Sequence, residues 1–192
     1  MAMHGESLSP RRRMVSWHDP AHAAQSGLSM SGLDYLRALV AGHLSPPPMA
    51  DLIGMRIIAV EPGRVTFTCE PDESTYNTLG VVHGGLACTL LDSAAGCALH
   101  SVLDVGRSYT SVEIKISYLK AIRLGSGRLT ATGTVIKSGA RLGFTEATLT
   151  DQSGTLLATA TSTLLIVENR PHGHGSPIPA DTNPSMTNPA ER

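Results

Sequence analysis

The sequence has 192 residues, enough for one domain with a substantial core and too few to make two the natural expectation. Fifteen basic against sixteen acidic side chains leave a formal net charge of −1, which argues against any general attraction to nucleic acid or to an anionic membrane. Aromatic residues make up only 4% of the chain, so Leu, Ile, Val and Ala must build the core; the three cysteines, Cys69, Cys88 and Cys97, cannot all pair, show no metal-knuckle spacing and suit reduced thiols in a cytoplasmic protein.

Residues 1–26 carry Arg11-Arg12-Arg13, Trp17 and scattered histidines but no apolar run able to form a signal-peptide core, and they read as a flexible N-terminal arm with a solvated charge run. From Ser31 to Gly42 the pattern turns helical, with Leu33, Leu36, Leu39 and Val40 at helical spacing and Gly42 as the stop. Ser45-Pro46-Pro47-Pro48 then imposes an extended linker, because each proline removes a backbone donor and disfavours helix in the residue before it. Met49 to Gly54 allows one more helical turn. The first hairpin is Met55–Val60 and Arg64–Glu70 about the turn Glu61-Pro62-Gly63, with Val65, Phe67 and Cys69 on one face of its second strand.

Asn77 to Leu99, NTLGVVHGGLACTLLDSAAGCAL, is the organising stretch. After the loop Asn77 to Gly80 and the triplet His83-Gly84-Gly85, the residues are almost all apolar or small, as in a buried helix shorter than the ~20 residues a membrane span needs. Gly84 and Gly85 lack Cβ atoms, so first-turn N–H groups without intrahelical partners lie open to an acceptor, as an oxyanion site requires; the plain alternative is close helix-on-sheet packing. Asp92 is a single carboxylate among Leu90, Leu91, Ala94 and Ala95, read either as a polar residue held by Thr89 or Ser93 or as a reactive acid. Nine positions of helix put His83 and Asp92 on opposite sides and ~13 Å apart along the axis. Two copies antiparallel across a twofold would bring one helix mouth to the middle of the other, so a catalytic role for both predicts a homodimer with shared sites.

Tyr109 to Leu119 alternates, with Val112, Ile114, Ile116 and Tyr118 expected inward and Glu113, Lys115 and Ser117 outward. Arg128 to Lys137 puts Leu129, Ala131 and Val135 opposite Thr130, Thr132 and Thr134, and Leu142–Thr150 and Thr155–Val167 flank the turn Asp151-Gln152-Ser153-Gly154. Hairpin, long buried helix and antiparallel meander make an α+β fold with one sheet curled around one helix. Residues 168–192 have the composition of a disordered tail, and His172 and His174 are too few ligands for a metal site.

With these residues in place, the sequence resembles hotdog-fold thioesterases of the PaaI-like, phenylacetate-degradation type. Their hallmark is an Asn, then HGG opening the central helix, then an acid nine positions after the His, matched here by Asn77, His83-Gly84-Gly85 and Asp92. The strand Thr110 to Leu119, Gly139 to Arg141 and Asp151 to Ala158 also resemble the family, and the likeness spans 27–167, a hotdog domain with a helical lead-in. The resemblance implies hydrolysis of an acyl- or aryl-coenzyme A thioester to free acid and coenzyme A, without metal or other cofactor, by a homodimer that pairs into a dimer of dimers. By the same resemblance the Gly84 N–H polarises the carbonyl, and Asp92 from the partner subunit acts as general base or nucleophile. Asn77 holds water or the carbonyl, Ser111 or Thr110 positions the attacking water, and His83 organises the helix mouth or simply caps it. Gly85 adjoins the thioester, and Lys137, Ser138, Gly139 and Arg141 fall where the nucleotide part of coenzyme A is held.

A thioester is already activated, so an oriented water, a carboxylate and an oxyanion site suffice, and no Cys–His or Ser–His pair is needed. Cys88, five residues beyond His83, lacks a third orienting group and reads as packing. The competing readings are a hotdog hydratase or dehydratase, a non-catalytic acyl-coenzyme A binder, and an interaction domain of a larger assembly.

Overall fold

The computed structural model describes residues 10–169. Three short helices lead in: α1 (Pro20–Gly27), α2 (Gly32–Val40) and α3 (Pro48–Ile53). Each begins where its sequence provides a start. Asp19 accepts from the Ala21 N–H ahead of Pro20, Ser31 accepts from the Asp34 N–H, and Pro48 opens α3 after the proline linker.

Then come β1 (Met55–Glu61), β2 (Arg64–Cys69), a 3-10 turn at Glu73–Thr75, the long helix α4 (Gly84–His100), and β3 (Arg107–Tyr118), β4 (Leu129–Ser138), β5 (Leu142–Thr150) and β6 (Leu156–Glu168). The six strands form one antiparallel sheet in the order β1-β2-β4-β5-β6-β3, which leaves β3 on a free edge. This is the α+β arrangement read from the hairpin, helix and meander.

The core lies between α4 and the concave face of the sheet. Leu90, Leu91, Ala94 and Ala95 are wholly buried against Val65 and Phe67 of β2, Leu129 of β4 and Leu149 of β5. Burial of each leucine side chain contributes roughly 1.5–3 kcal/mol. Helix and sheet approach so closely that a Cβ on Gly133 of β4 would stand 2.1 Å from the Ala94 carbonyl oxygen. The threonines of β4 face away, as their alternation requires. Among the described residues no helix is long and apolar enough to cross a membrane.

Four features depart from the sequence reading. The boundary drawn at 26/27 falls inside α1, and the preceding segment is docked: Arg11 pairs with Glu73, and Arg13 donates to Ser74 Oγ at 3.0 Å and to the Leu52 carbonyl. The run stays largely solvated, with the Arg11 side chain 79% exposed, while it touches the acidic loop at Asp72 and Glu73. Val112 is not inward; a β-bulge between Ser111 and Glu113 leaves it 61% exposed. Finally, α4 is not surrounded, since Cys88, Thr89, Asp92 and Ser93 keep one face part-exposed. At the C-terminal end Glu168 still belongs to β6, and His172 and His174 lie outside the described residues.

Candidate functional site

The mouth of α4 is built by the loop before it. Asn77 Oδ1 accepts from the N–H groups of Leu79 (2.8 Å) and Val81 (3.3 Å), an Asx turn that folds the loop back on itself. The His83 N–H donates to the Thr75 carbonyl at 2.8 Å and aims the residue into the N-cap position. There the His83 Nδ1 accepts from the Gly85 N–H at 2.8 Å. An accepting Nδ1 leaves the ring proton on Nε2. With Gly85 engaged and Leu86 donating to the His83 carbonyl, the Gly84 N–H has no acceptor among the described residues.

Both glycines are explained by neighbours. A Cβ at Gly85 would stand 2.8 Å from His83 Nδ1, and one at Gly84 would press on the Tyr118 ring at 3.3 Å. Tyr118 Oη donates to the Gly84 carbonyl at 3.1 Å, so the end of β3 lies against this mouth. The alternation of the strand puts Tyr118 in the core; it is instead 57% exposed beside the first turn of α4. Its place was hidden because nothing in a strand pattern says which helix turn lies opposite.

The second group sits half-way down α4. Ser111 Oγ donates to Asp92 Oδ1 at 2.9 Å, while Thr110 next to it is exposed and makes no such bond. The bulge is what allows this. Upstream of it Tyr109 and Ser111 point to the helix, and downstream Ile114 and Ile116 do, so one strand serves the carboxylate and the core without sacrificing either.

Asp92 and Ser93 line a cavity of about 620 Å³ between α4, α2, the proline linker and β1. Tyr35, His100 and Tyr109 line it too, none of which the sequence singled out; the only available signal was the rarity of the two tyrosines in a chain with 4% aromatic residues. His83, Gly84 and Gly85 do not reach this cavity, so one protomer does not unite the helix mouth with the carboxylate.

The third group is separate again. Lys137, Ser138 and Arg141 are exposed around the β4–β5 turn, where the Gly139 N–H donates to the Leu142 carbonyl. This turn lies toward the C-terminal end of α4, since Gly143 packs on Leu99. The thiols have no place in the chemistry. Burial raises Cys88, takes Cys69 up to about 11 and takes Cys97 up to about 12, so none supplies a thiolate near neutrality. Among the described residues no three His, Cys, Asp or Glu side chains gather as metal ligands.

A family model described as the Thioesterase superfamily matches residues 79–158, from the Asx turn through the start of β6. Human acyl-coenzyme A thioesterase 13 is 33% identical over 103 residues, 53% of this chain and 72% of that protein. A phenylacetic acid degradation-related protein of Ralstonia eutropha superposes with a TM-score of 0.62 at 25% identity, covering 68% of this chain and 98% of that one. A Streptococcus mutans protein crystallised with acetyl-coenzyme A superposes with a TM-score of 0.55 at 28% identity, covering 60% of this chain and 90% of its own. Together with a free helix-mouth donor and a half-buried carboxylate on one helix, these similarities carry one conclusion: the chain belongs to the thioesterase superfamily, in its PaaI-like hotdog branch, and is a thioester hydrolase.

Proposed function

We propose that the protein hydrolyses acyl-coenzyme A thioesters as a symmetric dimer, each site joining the Gly84 N–H of one protomer to Asp92 of the partner subunit. The substrate class follows from the named activity of the human relative and from the acetyl-coenzyme A held by the Streptococcus mutans protein. The observation that carries the shared site is the free edge β3. Its residue Tyr118 touches Gly84 and its residue Ser111 holds Asp92. Antiparallel pairing of this edge with a second copy, about a twofold at Lys115 and with Val112 bulged out of the register, sets Tyr118 across from Ser111 of the partner subunit. The helix mouth and the carboxylate then meet, although each is alone in its own chain.

At such a site a water lies between carboxylate and thioester. As its oxygen bonds to the carbonyl carbon, Asp92 takes its proton, and the carbonyl oxygen gathers charge against the Gly84 N–H, a donor worth roughly 3 kcal/mol in comparable sites. Collapse breaks the C–S bond, and the proton from Asp92 goes to the departing sulfur. Ser111 orients the carboxylate, and His83 keeps Gly85 occupied so that Gly84 alone faces the oxyanion. Asn77 shapes the loop. Lys137 and Arg141, exposed and without an ion pair among the described residues, are left for the phosphates of coenzyme A.

Complementation tests this reading. Asp92→Ala and Gly84→Val are each expected to abolish thiol release from acyl-coenzyme A esters while sedimenting as dimers. Refolded together in equal amounts they form heterodimers with one doubly damaged and one intact site, recovering about a quarter of wild-type activity for random pairing. No recovery from two folded, dimeric variants rules out the shared site, and full activity of Asp92→Ala removes the mechanism.

A further inference from the structure

Resting on the reading of the α4 mouth as the oxyanion site, we propose that the segment ahead of α1 is a working part of that mouth: Arg13 is a positioning residue that ties the 72–75 turn to α3 and so holds His83 and the Gly84 N–H in place.

The stretch leading into α4 is weakly anchored from within. Between the buried Pro71 and Val82 no side chain is wholly buried, and Tyr76 alone packs partly on the core. Its order comes from polar contacts instead. The Asp72 carboxylate accepts from the Ser74 N–H at 2.8 Å, and Thr75 Oγ1 donates to the Asp72 carbonyl at 2.6 Å, which winds residues 73–75 into a single 3-10 turn. From that turn the Thr75 carbonyl accepts the His83 N–H at 2.8 Å, and His83 in turn engages the Gly85 N–H and leaves that of Gly84 without an acceptor among the described residues. A shift of the turn therefore moves the cap, and the cap decides where the Gly84 donor points. Segments with few buried contacts and exposed hydrogen bonds are the ones that open locally, so this one depends on what holds it from outside.

Arg13 supplies that hold. One guanidinium nitrogen donates to Ser74 Oγ at 3.0 Å and stands 3.6 Å from Asp72 Oδ2, while the other donates to the Leu52 carbonyl in the last turn of α3. The end of a helix offers carbonyls without intrahelical partners and favours a cation, which makes Leu52 a ready seat. The planar fork fixes both directions of donation at once, as a lysine ammonium on its flexible stem does not. The Arg13 side chain is 36% exposed against 79% for Arg11, so Arg13 is the inner tie and the Arg11–Glu73 pair a looser one beside it. Arg12, between them, makes no ion pair among the described residues. All three precede the 79–158 region that the family model matches, so this support comes from a part of the chain the family does not define. Exposed ion pairs add little to global stability; the effect here falls on how firmly one turn is docked.

Steady-state kinetics on an acyl-coenzyme A ester at low salt tests the tie in the full chain. Arg13→Ala is expected to lower kcat about fivefold with KM near that of wild type, the upper end of what an exposed pair contributes, while Arg12→Ala leaves both unchanged. Arg13→Lys is expected to recover only part of the loss. Raising the salt to about 0.5 M is expected to bring the wild-type kcat toward that of Arg13→Ala and to leave the variant nearly unmoved. Hydrogen–deuterium exchange localises the effect: amides of residues 75–85 are expected to exchange faster in Arg13→Ala than in wild type or Arg12→Ala, with the rest of α4 unchanged. An unchanged kcat in Arg13→Ala, an equal loss in Arg12→Ala, or a loss without faster exchange at 75–85 overturns the proposal while leaving hydrolysis standing. If the wild type cleaves no thioester, the hydrolase reading fails instead, and exchange alone then decides the tie: faster exchange in Arg13→Ala upholds it and equal exchange removes it.

Discussion

Ser111 on the edge strand holds Asp92 on the central helix through a hydrogen bond of 2.9 Å, and it can do so only because a bulge at Val112 turns the strand between them and the core contacts of Ile114. Removing the hydroxyl frees the carboxylate to rotate. Ser111→Ala is therefore expected to lower kcat by 10- to 100-fold, the range for one hydrogen bond to a charged group, with little change in KM. Thr110→Ala, altering an exposed neighbour, should fall well short of that. Steady-state kinetics on the best acyl-coenzyme A ester compares the two, and equal effects would dismiss the orienting role.

General-base action by Asp92 has its own signature. In a single turnover in heavy-oxygen water, the product acid is expected to carry the label at once. Direct attack by the carboxylate would instead leave the first product unlabelled and deposit the label in Asp92, which peptide mass spectrometry detects.

The His83 cap should be measurable as stability. His83→Ala forfeits the bond to the Gly85 N–H, at a cost of about 1 kcal/mol, or roughly 3 °C in Tm for a chain of this size. Gly85→Ala drives a Cβ to 2.8 Å from the same nitrogen and is expected to cost at least as much. Thermal unfolding by circular dichroism reads both, and an unchanged Tm in each would remove the cap from the account.

Stability should also plateau between two buried titrations. Burial holds His100 below its ordinary value of 6.5, so the unfolded chain takes up a proton that the folded one resists; this contribution is present above pH 6.5 and fades as pH falls. Burial also raises Cys69 from 9.0 to about 11 and Cys97 from 9.0 to about 12. Their contribution is complete below pH 9.0 and is lost as pH rises toward those values. Urea midpoints across pH should trace both flanks. His100→Asn is expected to flatten the acid side and Cys69→Ala to soften the alkaline one.

Val112, exposed on the free edge, is the place to break the dimer. A charge there would lie unpaired against the edge strand of the partner subunit, so Val112→Asp is expected to shift the sedimentation profile toward monomer and to lower activity in step. Full activity in a monomer would contradict shared sites.

Much of this protein was legible in its residues alone. Local rules reach as far as a few residues along the chain, and that range covers the helix starts at Ser31 and His83, the linker at Pro46 to Pro48, the hairpins and the inward face of β2. They also cover the oddness of a lone acid within an apolar helix. Only the folded chain decided which hydroxyl meets Asp92, because a one-residue bulge reverses strand parity and no alternation pattern announces it. Only the fold could gather Tyr35, His100 and Tyr109, whose positions in the sequence are unrelated and whose meeting depends on where α2 crosses the end of α4. The docking of Arg11 and Arg13 on the 72–73 loop is likewise a matter of which surfaces pass each other, which free-chain propensity does not encode. Local structure follows from short-range sterics and periodicity, whereas a site follows from distances between segments, and those are set by packing.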